Sequence, residues 1–416
     1  MKKILIINAH WYNHGDEAAL RAMIDELQNE IGDVVITVCL LAGGEYFPCG
    51  ENLKLLDGEL PAGNRIKWVD YVLRYLSKGK LGIKSKSKQF IETVKESNLV
   101  IHAPGGPSIG DIYIDTEKYY LARLLMVKRL NRPYVFYAPS MGPFEKKTRS
   151  DRIRKRVING AEFIAVREPQ SAEYLRKYGI RKMITVTRDS AFQHPIDTDD
   201  CLRKFDNYNE LKQFISRYDR VVGVTITDLQ WNPKYQNNTE LKNRIQETFE
   251  LFISYLNEEG YGVVFIPQLF AGLNDYDYMS TFVRDNCFII TDREEYDCYF
   301  QQYVISQLFL VVGMRYHSNI FAAKMKTPFI SVSYEQKMSG FMRSAGLDKY
   351  CISIDNLNSD ILCEKLNTVV SEYDKYKAYL NDKSIVWMAE AQQTTKMVAN
   401  LIKNSKQKTL DKKEML

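Results

Sequence analysis

The sequence predicts an α/β protein built of two Rossmann-like domains that face each other across a cleft. Three observations predict it. Short apolar runs bounded by Gly, Pro or polar residues recur along the chain and alternate with helical stretches. These runs are apolar throughout, as strands buried on both faces of a parallel sheet are. The alternation halts at the polar stretch from His194 to Asp200 and starts afresh at Val221. Domains are therefore expected at 1–195 and 219–404, with a linker at 196–218 and a frayed tail at 405–416.

Taken in order, Ile4 to Ala9 is a first buried strand, followed by a glycine-containing loop and a helix from Glu17 to about Glu30. Asn13 and Gly15 in that loop can turn backbone N–H groups toward an anion, while Asp16 and Glu17 suit a helix start. The loop is not GxGxxG, so it carries no dinucleotide fingerprint. After a strand at Val34 to Leu41 comes an amphipathic helix over Arg65 to Leu76. It runs into Ser77 to Lys88, which holds five lysines and no acid. That segment is read either as a solvated loop or as a peripheral contact with anionic lipid.

The strand Leu99 to Ala103 empties into a loop with Gly105, Gly106 and Gly110, where backbone can approach a ligand closely. Further strands at Tyr134 to Ala138, Phe163 to Val166 and Ile184 to Thr187 end at Pro139, Arg167 and Asp189. Pro169 opens a helix and Gly179 stops it.

In the second half, strands are expected at Val221 to Ile226, Gly262 to Pro267 and Phe288 to Thr291, with helices over Thr239 to Glu259, from about Ala271, and over Glu294 to Gln307. The stretch that organises the chain then follows. Leu308 to Val312 is a strand that delivers Arg315 and His317 into the loop at its carboxyl end, with Ser318 or Asn319 capping the next helix. Phe329 to Ser333 is a strand that ends at Tyr334, Glu335 and Lys337. Two fixed cations, an imidazole and a carboxylate thus reach one edge of a parallel sheet, where open α/β sheets bind ligands. A lone histidine at a helix start is ordinarily bonded to backbone. Arg, His and Lys together suit a small dianion that must be protonated. Two polar helices, over about Asp360 to Asn381 and Ile385 to Lys403, close the chain.

Composition narrows the function. With 45% apolar residues, 26% charged residues and a net charge of +5, bulk charge does not point to nucleic acid. Seven dispersed cysteines without CxxC spacing argue for a reducing compartment and against a disulfide scaffold or zinc site. The apolar run at Ile4 to Ile7 is too short for a signal sequence, and no run approaches a membrane span, so a cytoplasmic location is expected.

The ordered set Asn13-x-Gly15-Asp16-Glu17, Gly105-Gly106 then Asp111, Arg167 followed by Ser171, Asp189 then Ala191-Phe192, Gly313-Met314-Arg315-x-His317 and Tyr334-x-x-Lys337 resembles the polysaccharide pyruvyl transferases. The resemblance covers roughly residues 4 to 345. It implies a fold similar to the GT-B glycosyltransferases, phosphoenolpyruvate as co-substrate with no cofactor or metal, and a sugar or lipid-linked oligosaccharide of a bacterial surface polysaccharide as acceptor. It implies His317 as the catalytic acid, Arg315 and Lys337 on the donor with Tyr334 and Glu335 beside them, and Arg167 reaching over from the first domain. Asn13, Gly15, Gly105, Gly106 and Asp189 fall to the acceptor, with Asp16 or Asp189 as base. Where the family often has another glycine this chain has Pro107, which removes one N–H donor. Two alternatives stand: a glycosyltransferase that uses a nucleotide sugar, for which Glu335 would be the ribose-binding acid, and a non-catalytic scaffold. The sequence does not speak to oligomeric state.

Overall fold

The computed structural model describes residues 1–42, 44, 47–56, 60, 65–270, 274–291 and 296–414. It divides into two compact units, Met1–Trp11, Ala19–Gln193 and Ala389–Leu416 in the first, Tyr12–Ala18 and His194–Met388 in the second.

The first unit carries β1 (Lys2–His10), β2 (Val34–Ala42), β3 (Leu53–Leu55), β4 (Leu99–His102), β5 (Gly105–Ile109), β6 (Tyr134–Phe136), β7 (Pro139–Met141), β8 (Ile164–Val166) and β9 (Ile184–Val186). Seven of them form a parallel sheet in the order β3-β2-β1-β4-β6-β8-β9, while β5 and β7 pair separately. Side chains alternate across the pleat. Leu5 and Ile7 join an apolar layer with Phe90, Val94 and Leu124, whereas Ile4 and Ile6 join another with Leu20, Met23, Val398 and Ile402.

The second unit carries β10 (Val221–Thr225), β11 (Gly262–Phe265), β12 (Cys287–Ile289), β13 (Leu310–Gly313), β14 (Phe329–Ser333) and β15 (Cys351–Ser353). Its parallel sheet runs β12-β11-β10-β13-β14-β15. The strand order reverses between β10 and β13, and Thr225 faces Gly313 at the carboxyl ends of that pair. Such a reversal is where doubly wound sheets open a crevice for ligands.

The two Rossmann-like units bear out the expected α/β class, but their boundaries differ from the expected ones. The stretch read as a linker, 196–218, is two helices, Thr198–Asn207 and Asn209–Ser216, which bury Cys201, Phe205, Leu211 and Phe214. Residues 12–18 cluster with the second unit and 389–416 with the first. The closing helices are Ser359–Ser371 and Tyr373–Glu414, so helix continues through most of the expected tail. Residues 415 and 416 lie outside the described residues, as do 271–273 and 294–295 of two expected helix starts. Val398 and Ile402, spaced at one helical turn, draw the last helix onto the first unit's sheet. The glycine loop after β4 also proves to be a strand, β5. Gly110 has φ +147°, and a Cβ there would stand 2.7 Å from the Cα of Gly142.

His102 on β4 is fully buried, and its Nδ1 accepts from Asn8 Nδ2 at 2.9 Å. Burial, with His10 nearby, pushes the imidazole down to about 3. Below the ordinary histidine range the unfolded chain takes up a proton that the folded one refuses. We expect stability from this group to be complete above pH ~6.5 and to fall by about 1.4 kcal/mol per pH unit below it, down to pH ~3. Urea unfolding across this window checks it, and His102→Gln should flatten the slope.

Candidate functional site

The sequence-predicted residues divide between the units. Asn13, Gly15, Asp16, Arg315, His317, Tyr334, Glu335 and Lys337 belong to the second, and Gly105, Gly106, Arg167 and Asp189 to the first. Asn13 and Gly15, expected on the acceptor side with the first domain, therefore stand with the residues assigned to the donor.

In the second unit β13 and β14 are parallel neighbours, with Gly313 opposite Ser331. Both end at the same edge, and each feeds a helix, Tyr316–Lys324 and Gln336–Ser344. His317 thus lies in a first helical turn rather than in a loop, because Arg315 and not Ser318 or Asn319 is the N-cap residue. Ser318 instead donates from Oγ to the Arg315 carbonyl at 2.7 Å and lies 2.9 Å from the Thr225 hydroxyl. Asn319 is turned inward, donating to Ser331 Oγ at 2.9 Å. A Cβ on Gly313 would meet Asn319 Oδ1 at 2.1 Å, so the glycine of the motif makes room for that side chain. Neither Arg315 nor Glu335 caps its helix through its side chain. Both helices thus direct the positive ends of their dipoles to this edge.

The turn at Asn13 comes to the same place. Asn13 Oδ1 accepts from the Asp16 N–H at 2.7 Å and its Nδ2 donates to Asp16 Oδ2 at 2.7 Å, so the Asn–Asp pair closes the start of the helix His14–Ile31. The His14 N–H bonds the Gln268 carbonyl at 3.0 Å, tying the turn to the chain after β11. Gly15 lies against His317: a Cβ there would stand 2.0 Å from Nδ1, 2.4 Å from Cγ and 2.7 Å from Cβ of the histidine. The motif glycine is thus a seat for the imidazole. Asp16, half-buried, occupies the next position on that turn.

Each cation at this edge has a carboxylate. Arg315 is clamped by Asp275, with Nε donating to Oδ2 at 3.0 Å and Nη2 donating to Oδ1, and its guanidinium lies 5.0 Å from the centre of the Trp231 ring. Burial opposes the charge, but Asp275 and Tyr334 outweigh it and raise the Arg315 pKa. Lys337 pairs with Glu335 at 2.8 Å, and Glu335 also accepts from Asn232 at 2.8 Å. Tyr334 is buried, and its carbonyl accepts from the Tyr235 hydroxyl at 3.0 Å. Arg315 and Lys337 are therefore each neutralised by a carboxylate of their own. A dianion would be met by the helix N-termini, by Lys337 swung from Glu335, and by His317 when protonated.

Sequence reasoning missed three of these partners: Asp275, Asn232 and the pair His14–Glu17, whose Nδ1 and Oε2 lie 2.6 Å apart with both side chains buried. Only the last had a signal, an i,i+3 spacing on a helix start.

In the first unit the expected roles meet a different geometry. Arg167 is buried, donating to Asp189 Oδ2 at 2.6 Å and to Ser140 Oγ at 2.7 Å, with Glu168 at 3.4 Å. Asp189 spends its other oxygen on the Ala191 N–H at 2.9 Å. Each oxygen already accepts, so Asp189 is poorly suited to be a base, and Arg167 serves first to neutralise it. Gly105 and Gly106 lie on β5, and a Cβ on Gly106 would meet nothing. Asp189→Asn is expected to cost about 1.5–3 kcal/mol, since Arg167 loses its shorter charged partner and keeps Glu168 at 3.4 Å, measurable by urea unfolding. Among the described residues no group of three or more His, Cys, Asp and Glu is placed to hold a metal ion. No helix among them is long and apolar enough to cross a membrane.

Comparison with known proteins places the chain in a family and a fold. The family model described as polysaccharide pyruvyl transferase matches residues 13–336, which takes in the Asn13 turn, Arg315, His317 and Glu335. The amylovoran biosynthesis protein AmsJ of Erwinia amylovora is 24% identical over 405 residues, covering 90% of this chain and 93% of that protein. Among solved structures, Anabaena HepE in complex with UDP is similar with a TM-score of 0.58 at 11% identity, covering 97% of this chain and all (100%) of the other. The UDP-GlcNAc 2-epimerase of Neisseria meningitidis bound to UDP-GlcNAc follows at 0.53 and 13%, with coverage of 97% and 100%. These likenesses establish a GT-B-like fold.

Proposed function

Since the chain belongs to the polysaccharide pyruvyl transferase family, we propose that it moves the enolpyruvyl group of phosphoenolpyruvate onto a sugar of a bacterial surface polysaccharide or its lipid-linked precursor, closing a pyruvate ketal. The observation that carries this reading is the seating of His317 on Gly15 at the sheet edge that also presents Arg315 and Lys337. The similarity to an amylovoran biosynthesis protein supports a place in exopolysaccharide assembly.

The chemistry follows from the donor. A proton from His317 to the methylene carbon makes a methyl group and leaves oxocarbenium character on the neighbouring carbon. One sugar hydroxyl adds there and gives up its proton. A second hydroxyl then displaces phosphate, forming the ketal. Of the two hydroxyl protons, one restores His317 and one leaves with phosphate. Arg315, held rigid by Asp275, and Lys337 hold the carboxylate and the departing phosphate. Asp16, beside the seat of His317, is positioned to take the hydroxyl proton. No step requires a cofactor. The enzyme acts in the cytoplasm, where phosphoenolpyruvate is made.

One observation favours a second reading, transfer from a nucleotide sugar. A cavity of about 220 Å³ at the carboxyl ends of β14 and β15 is lined by Lys234, Tyr235, Ser333, Glu335, Ser353 and Asp355, room for a nucleoside beside the acid that would hold its ribose. A donor screen separates the two. Thermal stabilisation by phosphoenolpyruvate, absent with nucleotide sugars and lost in Arg315→Ala, supports pyruvyl transfer. Stabilisation by nucleotide sugars alone would replace it with glycosyl transfer.

A further inference from the structure

The helix Arg65–Leu76 in the first unit is apolar on both sides: Trp68, Tyr71 and Tyr75 pack against the core, and a second apolar set faces out. Its buried residues are Asp70, Tyr71 and Arg74, while Ile66, Val69, Val72 and Leu76 are 50–67% exposed. Ile66, Val69 and Leu76 fall on one stripe of the helix, and Val72 flanks it. The turn that follows adds Leu81 and Ile83, at 64% and 59%. A soluble surface normally scatters such residues singly; here they are contiguous in the chain and share one helix and its turn.

A buried polar device holds the arrangement. Asp70 accepts from the Lys84 N–H at 3.0 Å, from Arg74 Nε at 3.2 Å, and from the Ile83 N–H and the Ser87 hydroxyl. Arg74 in turn donates to the Lys84 carbonyl at 2.8 Å. Gly82 packs so close to the guanidinium that a Cβ there would stand 2.3 Å from its Cζ. Turn 77–84 is therefore pinned by its polar atoms, and its apolar side chains are left outside.

Charge surrounds the apolar face. Between residues 65 and 91 the one carboxylate is the buried Asp70, while Arg65, Lys78, Lys80, Lys84, Lys86 and Lys88 are all exposed. The segment expected to be loop to Lys88 becomes helix at Ser85, so a helix N-terminus joins the lysines. A cavity of about 300 Å³ opens at that N-terminus, lined by Leu60, Lys67, Lys84, Ser85, Lys86 and Ser87, and by Asp70, whose two oxygens are already engaged by Arg74, Ser87 and the Ile83 and Lys84 N–H groups. Lysines and helix N–H groups around one cavity fit a phosphate.

We propose that this face docks on a lipid bilayer carrying anionic phospholipid. The apolar side chains of the helix and turn enter the acyl boundary, the lysines meet the headgroups, and the lysine-lined cavity takes a headgroup phosphate. Charge complementarity selects this partner: a second copy of the chain would bring its own lysines against these.

The test uses the full chain sedimented with vesicles of phosphatidylcholine alone or of an equimolar mixture with phosphatidylglycerol. Binding is expected to the mixture, to weaken with salt, and to fall on the order of a hundredfold in Lys78→Gln/Lys80→Gln/Lys84→Gln. Leu76→Ser/Leu81→Ser/Ile83→Ser, which keeps every charge, should weaken it as well. All of these positions are exposed, and unchanged thermal melting shows that the variants fold. No binding to the mixture, or binding indifferent to both triple variants, overturns the proposal. So does self-association that the apolar variant abolishes while vesicle binding stays intact. Neither donor nor acceptor is present, so the outcome stands apart from that of the proposed reaction.

Discussion

Gly15→Ala should leave a folded protein whose turnover has dropped by on the order of a hundredfold or more. The added carbon would meet not the flexible end of a side chain but Nδ1, Cγ and Cβ of His317 together. The imidazole cannot rotate clear of it and must move bodily. A displacement of about 1 Å is worth roughly a hundredfold in rate, and the stability cost of one extra methyl in a packed place is about 1–3 kcal/mol. His317→Ala should remove the acid itself, a loss of about 10²–10⁴-fold. The informative comparison is the double variant. If Gly15 acts through His317, adding Gly15→Ala to His317→Ala costs nothing further in turnover. Independent, multiplying losses would mean that the glycine serves a ligand directly.

Asp275→Ala has the largest expected effect on stability. Its carboxylate accepts from Arg315 and from the backbone N–H groups of Gln268 and Leu269, each at 3.0 Å, and it is almost wholly buried. Removing it leaves two amides without an acceptor and a buried guanidinium without its carboxylate, with Tyr334 as its remaining polar partner, for a loss of about 3–5 kcal/mol. Urea unfolding measures this. Donor binding should weaken with it, because an unclamped Arg315 must be ordered afresh by each ligand. Asp275→Asn keeps one acceptor oxygen, and a smaller loss with donor stabilisation partly retained is expected. Stability unchanged in Asp275→Ala would mean that Arg315 finds another partner.

Much of the architecture is legible in the sequence because buried parallel strands are uninterrupted apolar runs. Phe329–Ser333 is found with its bounds, and β13 is shifted by two residues at its start and one at its end. The same logic brings Arg315, His317, Glu335 and Lys337 to one edge, since consecutive strands of a βα alternation lie side by side. Partners brought by tertiary contact are not legible. Asp275 meets Arg315 across forty residues, and at the start of its helix it reads only as a cap. The helix Ser85–Glu96 is hidden by its first turn, Ser-Lys-Ser-Lys, although Phe90, Ile91 and Val94 lie at helical spacing within it. Ile114–Arg129 is likewise obscured by Glu117 and Arg123, charged residues in the interior: Glu117 pairs with Arg154, and Arg123 donates to Asn8. Arg167 and Asp189 read as ligand residues in the sequence because their motif order matches the family. That order is equally preserved by a pair that holds two strand ends together.

The return of the last helix to the first sheet has a consequence for how the protein is made. The apolar layer that β1 begins is completed by Val398 and Ile402, which leave the ribosome after every strand of both sheets. The second unit's strands β10 to β15 are synthesised as one uninterrupted run and are free to fold while the first unit still lacks a wall. A nascent chain halted anywhere short of residue 402 would carry an uncovered sheet face, a natural target for chaperones and for proteases. The second unit, nominally the later half, can therefore be finished first, and the chain's opening strand is among the last parts to be sealed.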